Sequence, residues 1–488
     1  MRGKWLGATV LLMVGGICGA ATASDSLGAE AEDALSRAVG YFREEVSVHG
    51  SYLWSYSEDL TDRRGENEAT ETQGWVQPPG TPSVGVAYLR AYEATADDRY
   101  LEAAGEVVRA LYETQLASGG WDYRVEFDPE ARKRWHYRTD VEAGDTVRAK
   151  RRDTSTYDDN NTQSALRFLM QAGEAFGGGS PEASNEARVC IEYGLTKLLA
   201  AQYPNGAWPQ RYAGESRGED DYPVVQARYP ETWDREYPKL DYRGYYTFND
   251  STIRDVVGVF LDAHRRYGKD EYLAAATHGG DFILLAQMPN PQPVWAQQYN
   301  AAMEPSWARK FEPASVTGGE SVGAVRTLLD IYLYTGDDKY LDVIPPALDW
   351  FRRSSIAEDR WARFYELRTN RPLYFTKDYE LVYTDDDMPT HYSFQSAYGV
   401  RGMIEYAERV MDEGREAVNE AAARERTPEE NRARADGLAP SVREIVDALD
   451  SRGRWVEDGR VDVRTFNRNV GRLAEYIGLM SSGIRDDG

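Results

Sequence analysis

One spacing constrains the fold of this chain more than any other feature. The segment LYETQLASGGWDY ends one helical pattern, LLAAQYPNGAWPQRY ends a second, and LLAQMPNPQPVWAQQY ends a third. Gln115, Gln202 and Gln287 stand 87 and 85 residues apart, and each is followed by a Gly- or Pro-rich turn and then by Trp121, Trp208 or Trp295. A repeat of that length, with at least two helical segments per unit, builds hairpins around an axis and delivers their turns to one rim. Segments near 83–96, 100–117, 163–176, 184–202, 251–266, 270–288, 321–335 and 338–352 space apolar residues by three and four, and alternating runs are few. The expected class is mainly α: an α/α barrel or toroid of helical hairpins with irregular loops on the binding face. The tryptophans admit two readings. They pack on helix ends stopped by glycine, or they line a rim on which pyranose rings stack.

The N-terminus sets the compartment. Arg2 and Lys4 precede an apolar run from Trp5 to Cys18, and Ala21-Thr22-Ala23 lies ahead of Ser24-Asp25, the pattern of a cleaved signal peptide over 1–23. A secreted or periplasmic protein is expected, with 24–488 as a single catalytic domain. No later segment is long and apolar enough to span a bilayer. Cys190 is the one cysteine left after cleavage, so no intrachain disulfide is expected; within ARVCIEYGLTKLL it reads as a small packed hydrophobe. A formal net charge of −24 argues against nucleic acid as a partner, because phosphates call for a basic surface.

Chemistry concentrates in two acidic turns. In YDDNNTQSALRFL, Asp158, Asp159, Asn160 and Asn161 precede an amphipathic helix. In FNDSTIRDVVGVFLDA, Asn249 and Asp250 precede another, with Ile253, Val256, Val257, Phe260 and Leu261 on its apolar face. Either turn alone reads as helix capping. Two such turns in one chain suggest carboxylates converging on a hard cation such as calcium, which takes oxygen ligands. The five histidines form no HExxH or similar metal spacing. Tyr123 to Asp153 and Gly214 to Arg243 read as loop excursions, and Asp412 to Arg434 as a solvent-facing helix or linker before a last hairpin.

Longer blocks carry a family resemblance. QGWVQPPGTPSVGVAYLRAYEAT from Gln73, AAQYPNGAWPQRY, YYTFNDSTIRD, VWAQQYN, EPSWARKFEPASVTGGESVG, RWARFYELRTNRPLYF and SRGRWVEDGRVDVRTFNRNVGRLAEYI together resemble the pectate lyases of polysaccharide lyase family 10. The resemblance covers nearly the whole mature chain. It implies a toroid of helical hairpins and calcium-assisted cleavage of polygalacturonate by β-elimination. It also implies that Arg309, in WARKFEP, is the base, with Lys310 beside it. Asp158, Asp159, Asn160 and Asp250 would hold Ca2+. The family ligand falls nine residues before Arg167, at Asp158, while Asp159 stands where the family usually has Asn. Asp250, Lys310, Arg371, Lys377, Trp208 and Trp295 would meet the substrate. Where members commonly show Arg-Asp this chain has Lys377-Asp378, and HYSFQSAYG, His391 to Gly399, replaces a basic, Trp-containing segment. The expected partner is an acidic polysaccharide, and a monomer is expected. Two other classes fit parts of the pattern: a glycoside hydrolase using Asp159 with Asp250, and a non-catalytic saccharide-binding protein.

Overall fold

The computed structural model describes residues 23–177, 180–215 and 218–484. The expected leader lies outside them except for Ala23, which opens helix α1 (Ala23–Tyr41). The remaining helices are α2 (Thr81–Thr95), α3 (Asp98–Thr114), α4 (Arg138–Glu142), α5 (Asn161–Phe176), α6 (Pro181–Ala200), α7 (Thr252–Tyr267), α8 (Asp270–Ala286), α9 (Gly319–Thr335), α10 (Lys339–Asp342), α11 (Ile344–Arg353), α12 (Val400–Ala423), α13 (Pro428–Asp447) and α14 (Val463–Ile484). No helix among the described residues is long and apolar enough to cross a membrane.

Each hairpin follows from an apolar stripe that cannot be buried alone. In α7 the stripe of Ile253, Val256, Val257, Phe260 and Leu261 is buried, as expected. Helices α2 and α3, α5 and α6, α7 and α8, and α13 and α14 pack as pairs. The leading helices α2, α5, α7, α9 and α12 also pack on one another in chain order, and α14 lies against α2. That succession of hairpins is the α/α toroid expected from the repeat. One core cluster runs from Leu27 to Leu479, and Cys190 is buried within it with its thiol pKa pushed up to about 12 by burial.

The repeated glutamine and tryptophan hold the hairpins together. Gln115 Nε2 donates to Gly119 O (2.9 Å) and Cys190 O (2.9 Å). Gln202 Nε2 donates to Gly206 O (3.0 Å) and Ala275 O (3.0 Å), and Gln287 Nε2 to Pro293 O (3.0 Å) and Val343 O (2.9 Å). Each glutamine thus fastens its own turn to the next hairpin's outer segment. Trp121, Trp208 and Trp295 are fully buried, and their indole N–H groups donate to Leu111 O (3.0 Å), Leu198 O (2.9 Å) and Ile283 O (2.8 Å). Trp361 and Trp455 repeat the bond, to Phe351 O and Ile445 O, both at 2.8 Å.

Strands among the described residues are two to four residues long and stay in the loops. One of two four-stranded groups runs Leu381–Val382, Pro372–Phe375, Phe364–Tyr365, Val316–Thr317, all antiparallel, and ends beside the start of α9. The charged run from Asp412 is mostly helical, and α13 begins at a capping box between Thr427 and Glu430.

Candidate active site

The two acidic turns are conformational copies. Asp159 (φ 52°) and Asn160 (φ 56°) precede α5, and Asp250 (φ 46°) and Ser251 (φ 63°) precede α7. Two successive non-glycine residues in the left-handed region cost the backbone roughly 1–2 kcal/mol each, least for Asn and Asp. Such strain persists where the surroundings demand it. Neither helix receives a side-chain cap from Asn160 or Ser251, so capping does not account for the turns. A short strand leads into each, Ser155–Thr156 before the first and Tyr246–Thr247 before the second. Because α5 and α7 are neighbours in the leading row, the two turns meet.

Their meeting gathers charge. Single carboxylate oxygens of Asp158, Asp159 and Asp250 all lie within 4.8 Å of one another. Arg309 Nη2 stands 3.5 Å from Asp158 Oδ2 and 3.8 Å from Asp250 Oδ2, while its Nη1 lies 3.8 Å from Glu312 Oε1. Glu312, which is buried, also accepts from the Arg309 backbone N–H at 3.1 Å and from Tyr392 at 3.0 Å. Tyr123 donates toward Asp158 (3.2 Å) and Asp159 (2.9 Å). Burial, together with repulsion from Asp159 and Asp250, lifts Asp158 to about 7. Burial and then Asp250 raise Asp159 as well. For Arg309, burial works against the charge, yet Glu312, Asp158 and Asp250 overcome it and hold the guanidinium above its ordinary range.

The donor set suits a hard divalent cation. It offers three carboxylates, and Asp158 Oδ1 and Asn249 Oδ1 are buried without hydrogen-bond partners, an arrangement of oxygens that calcium satisfies.

Of the residues singled out in the sequence, Asp158, Asp159, Asp250 and Arg309 come together. Asn160 instead accepts from Arg167 at 3.5 Å through its side-chain oxygen. Lys310 is exposed, with its Nζ 4.4 Å from the Tyr379 ring centroid. Arg371 lies 3.6 Å over the Tyr383 ring, and Lys377 pairs with Asp387 at 2.8 Å. Trp208 and Trp295 require a correction as sugar platforms: fully buried and bonded to helix carbonyls, they present no face to a ligand. Three cations of the 123–153 excursion pair locally, Arg132 with Asp140, Arg151 with Asp145 and Arg152 with Asp122. Sequence reasoning missed Tyr123 and the pair formed by Arg363 and Glu320 at 2.5 Å. The sequence offers Glu304 or Glu312 as a salt-bridge partner for Arg309; the structure places Glu312 there and pairs Glu304 with Arg228.

Residues 130–360 match the family model described as pectic acid lyase. This bears out the resemblance drawn from the sequence, and the stretch contains both acidic turns and Arg309. No curated protein matches the chain. Among solved structures, a mutant family 10 polysaccharide lyase from Cellvibrio cellulosa in complex with trigalacturonic acid is 21% identical over 68% of this chain and 98% of its own, with a TM-score of 0.44. A GH76 α-mannanase from Bacteroides thetaiotaomicron is 10% identical over 94% and 96%, with a TM-score of 0.42. A cellobiose 2-epimerase from Spirochaeta thermophila is 12% identical over 94% and 97%, with a TM-score of 0.44. None of these likenesses bears on function.

Proposed function

We propose that the protein acts outside the cytoplasm as a calcium-assisted lyase that cleaves polygalacturonate by anti β-elimination, with Arg309 as the base. The observation that carries this reading is the convergence of Asp158, Asp159 and Asp250 on one point with Arg309 beside it. Elimination requires loss of the proton α to the uronate carboxylate, formation of a carbon–carbon double bond, and departure of the glycosidic oxygen from the neighbouring carbon. The acidity of that C–H is the obstacle. Asp158, Asp159 and Asp250 would hold Ca2+, which when bound supplies Lewis-acid withdrawal of charge from the substrate carboxylate.

Arginine is an unusual base because its guanidinium keeps its proton. Here Glu312, Asp158 and Asp250 strengthen that hold. Once Asp158 and Asp250 serve as ligands, their charge no longer favours the guanidinium proton, and the shift runs toward the neutral base. Glu312 keeps the side chain in place from behind. The acidic exterior opposes a polyanion most at low salt, and the cleft relies on local cations to offset it.

A hydrolase has one observation in its favour: Asp158, lifted to about 7, could act as an acid at neutral pH. The products separate the two. Incubation with polygalacturonate should give rising absorbance in the conjugated-uronate band with calcium and none with chelator. Arg309→Ala should lower the rate by roughly 10²–10⁴-fold. New reducing ends without that absorbance, or full activity in chelator, would refute the elimination.

A further inference from the structure

A cavity of about 260 Å³ lies between α7 and α9, with Asp250 in its wall. Arg254 reaches it from α7, Glu320, Gly323 and Arg326 from α9, and Arg363 from the chain between α11 and α12. Three guanidinium groups thus face two carboxylates. Glu320 is committed to Arg363, and Asp250 belongs to the carboxylate cluster. Among the described residues, Arg254 and Arg326 have no carboxylate within 4.0 Å; the exposed Asp330 is a counter-charge on which they act at longer range. Arg363 Nε and Glu320 Oε2 are both buried without a hydrogen-bond partner. The N-terminus of α9 opens into the same space with no side-chain cap, which adds free N–H groups and a positive helix end.

These features select a ligand. Unpaired guanidinium groups and an orphaned N–H call for an anion, and arginine matches a carboxylate in a two-pronged geometry. The carboxylates of Asp250 and Glu320 in the same wall call for hydroxyl donors on the molecule that brings the anion, and a uronate ring supplies both. The volume falls just below the roughly 300–1,000 Å³ of sites for drug-sized ligands, a size for one sugar ring rather than a chain. We infer that this cavity is a uronate subsite adjoining the reacting ring, in which Arg254 and Arg326 bind the ring's carboxylate and set the preference for unesterified polymer. The inference rests on the lyase reading for its adjoining ring.

The test uses the full chain, trigalacturonate binding by calorimetry at low and high salt, and kinetics on polygalacturonate. Arg254→Gln and Arg326→Gln should each raise KM about tenfold with kcat held, and should flatten the salt dependence of binding. Gly323→Leu offers a route that keeps both arginines. A Cβ at Gly323 meets nothing within 4 Å, the position is inside a helix where glycine is disfavoured, and the longer side chain would fill the cavity. It should raise KM likewise, and it decides the matter if an arginine variant fails to fold. Arg254→Lys should recover part of the affinity. Unchanged KM and affinity in Gly323→Leu and in the folded glutamine variants would overturn the subsite while wild-type unsaturated product left the lyase reading intact. Binding lost in the variants, from a wild type that makes no such product, would uphold the uronate subsite and remove the elimination.

Discussion

Asp158→Asn should stabilise the calcium-free protein above neutral pH and abolish its response to calcium. The Asp158 carboxyl is buried and raised from 3.8 to about 7 by burial and by the charges of Asp159 and Asp250. The folded state therefore binds this proton more tightly than the unfolded state does. The cost is absent below the ordinary carboxylate range, grows as pH climbs toward 7, and is complete above it. At ~1.4 kcal/mol per pH unit, it reaches ~4 kcal/mol. A chain of 488 residues, at roughly 2.1 cal/mol/K per residue, has an unfolding entropy of ~1 kcal/mol/K, so ~4 kcal/mol corresponds to ~4 °C in Tm. Scanning calorimetry in chelator at pH 5 and pH 8 reads this directly. Wild type should lose about 4 °C relative to Asp158→Asn between the two, and calcium at pH 8 should restore wild type while leaving the variant nearly unmoved. Parallel melting curves for the two proteins, or an equal calcium shift in both, would show that the three carboxylates do not share one charged site.

Trp208→Ala should destabilise the fold by about 3–5 kcal/mol and leave KM for polygalacturonate unchanged in the folded fraction; a raised KM without loss of stability would restore the tryptophan to the cleft. Gly206→Ala should cost more than about 1 kcal/mol in urea unfolding, because φ is +93° there and a Cβ would meet the His278 carbonyl oxygen at 2.0 Å. Wild-type stability in that variant would mean that the turn relaxes freely.

The sequence revealed what depends on local spacing. The repeat of Gln115, Gln202 and Gln287 implied hairpins about an axis, and the apolar stripe beginning at Ile253 is the buried face of α7. Asp158, Asp159, Asp250 and Arg309 were also readable, the acids from their turns and the arginine from a family block. What stayed hidden depends on where side chains point. Trp208 after a glycine turn reads equally as a sugar platform or as a helix-end anchor, and only the Leu198 carbonyl decides between them. Tyr123 lies 35 residues from Asp158, with a long excursion between, so no periodicity links them. Arg254 and Arg326 look like ordinary helix-surface cations until α7 and α9 enclose a cavity around them. Asn160 shows the opposite failure, since proximity in sequence to two ligand-like acids did not stop its oxygen from turning to Arg167.

The glutamine and tryptophan stitches have a consequence for how such a protein can change over evolutionary time. Each pair closes its turn before the chain leaves for an excursion: Tyr123 to Asp153 departs just after Trp121, and Gly214 to Arg243 soon after Trp208. The Gln Nε2 and Trp indole bonds lie outside the excursions, while the first excursion adds ties of its own to the turn through Arg138 and Asp153; doubling the length of a flexible loop between fixed ends costs only about 0.6 kcal/mol. Insertions in the exposed stretch 142–150 of the first excursion cost the scaffold little, so the rim above Asp158 and Asp250 can be rebuilt for new polymers while the helices beneath keep their register.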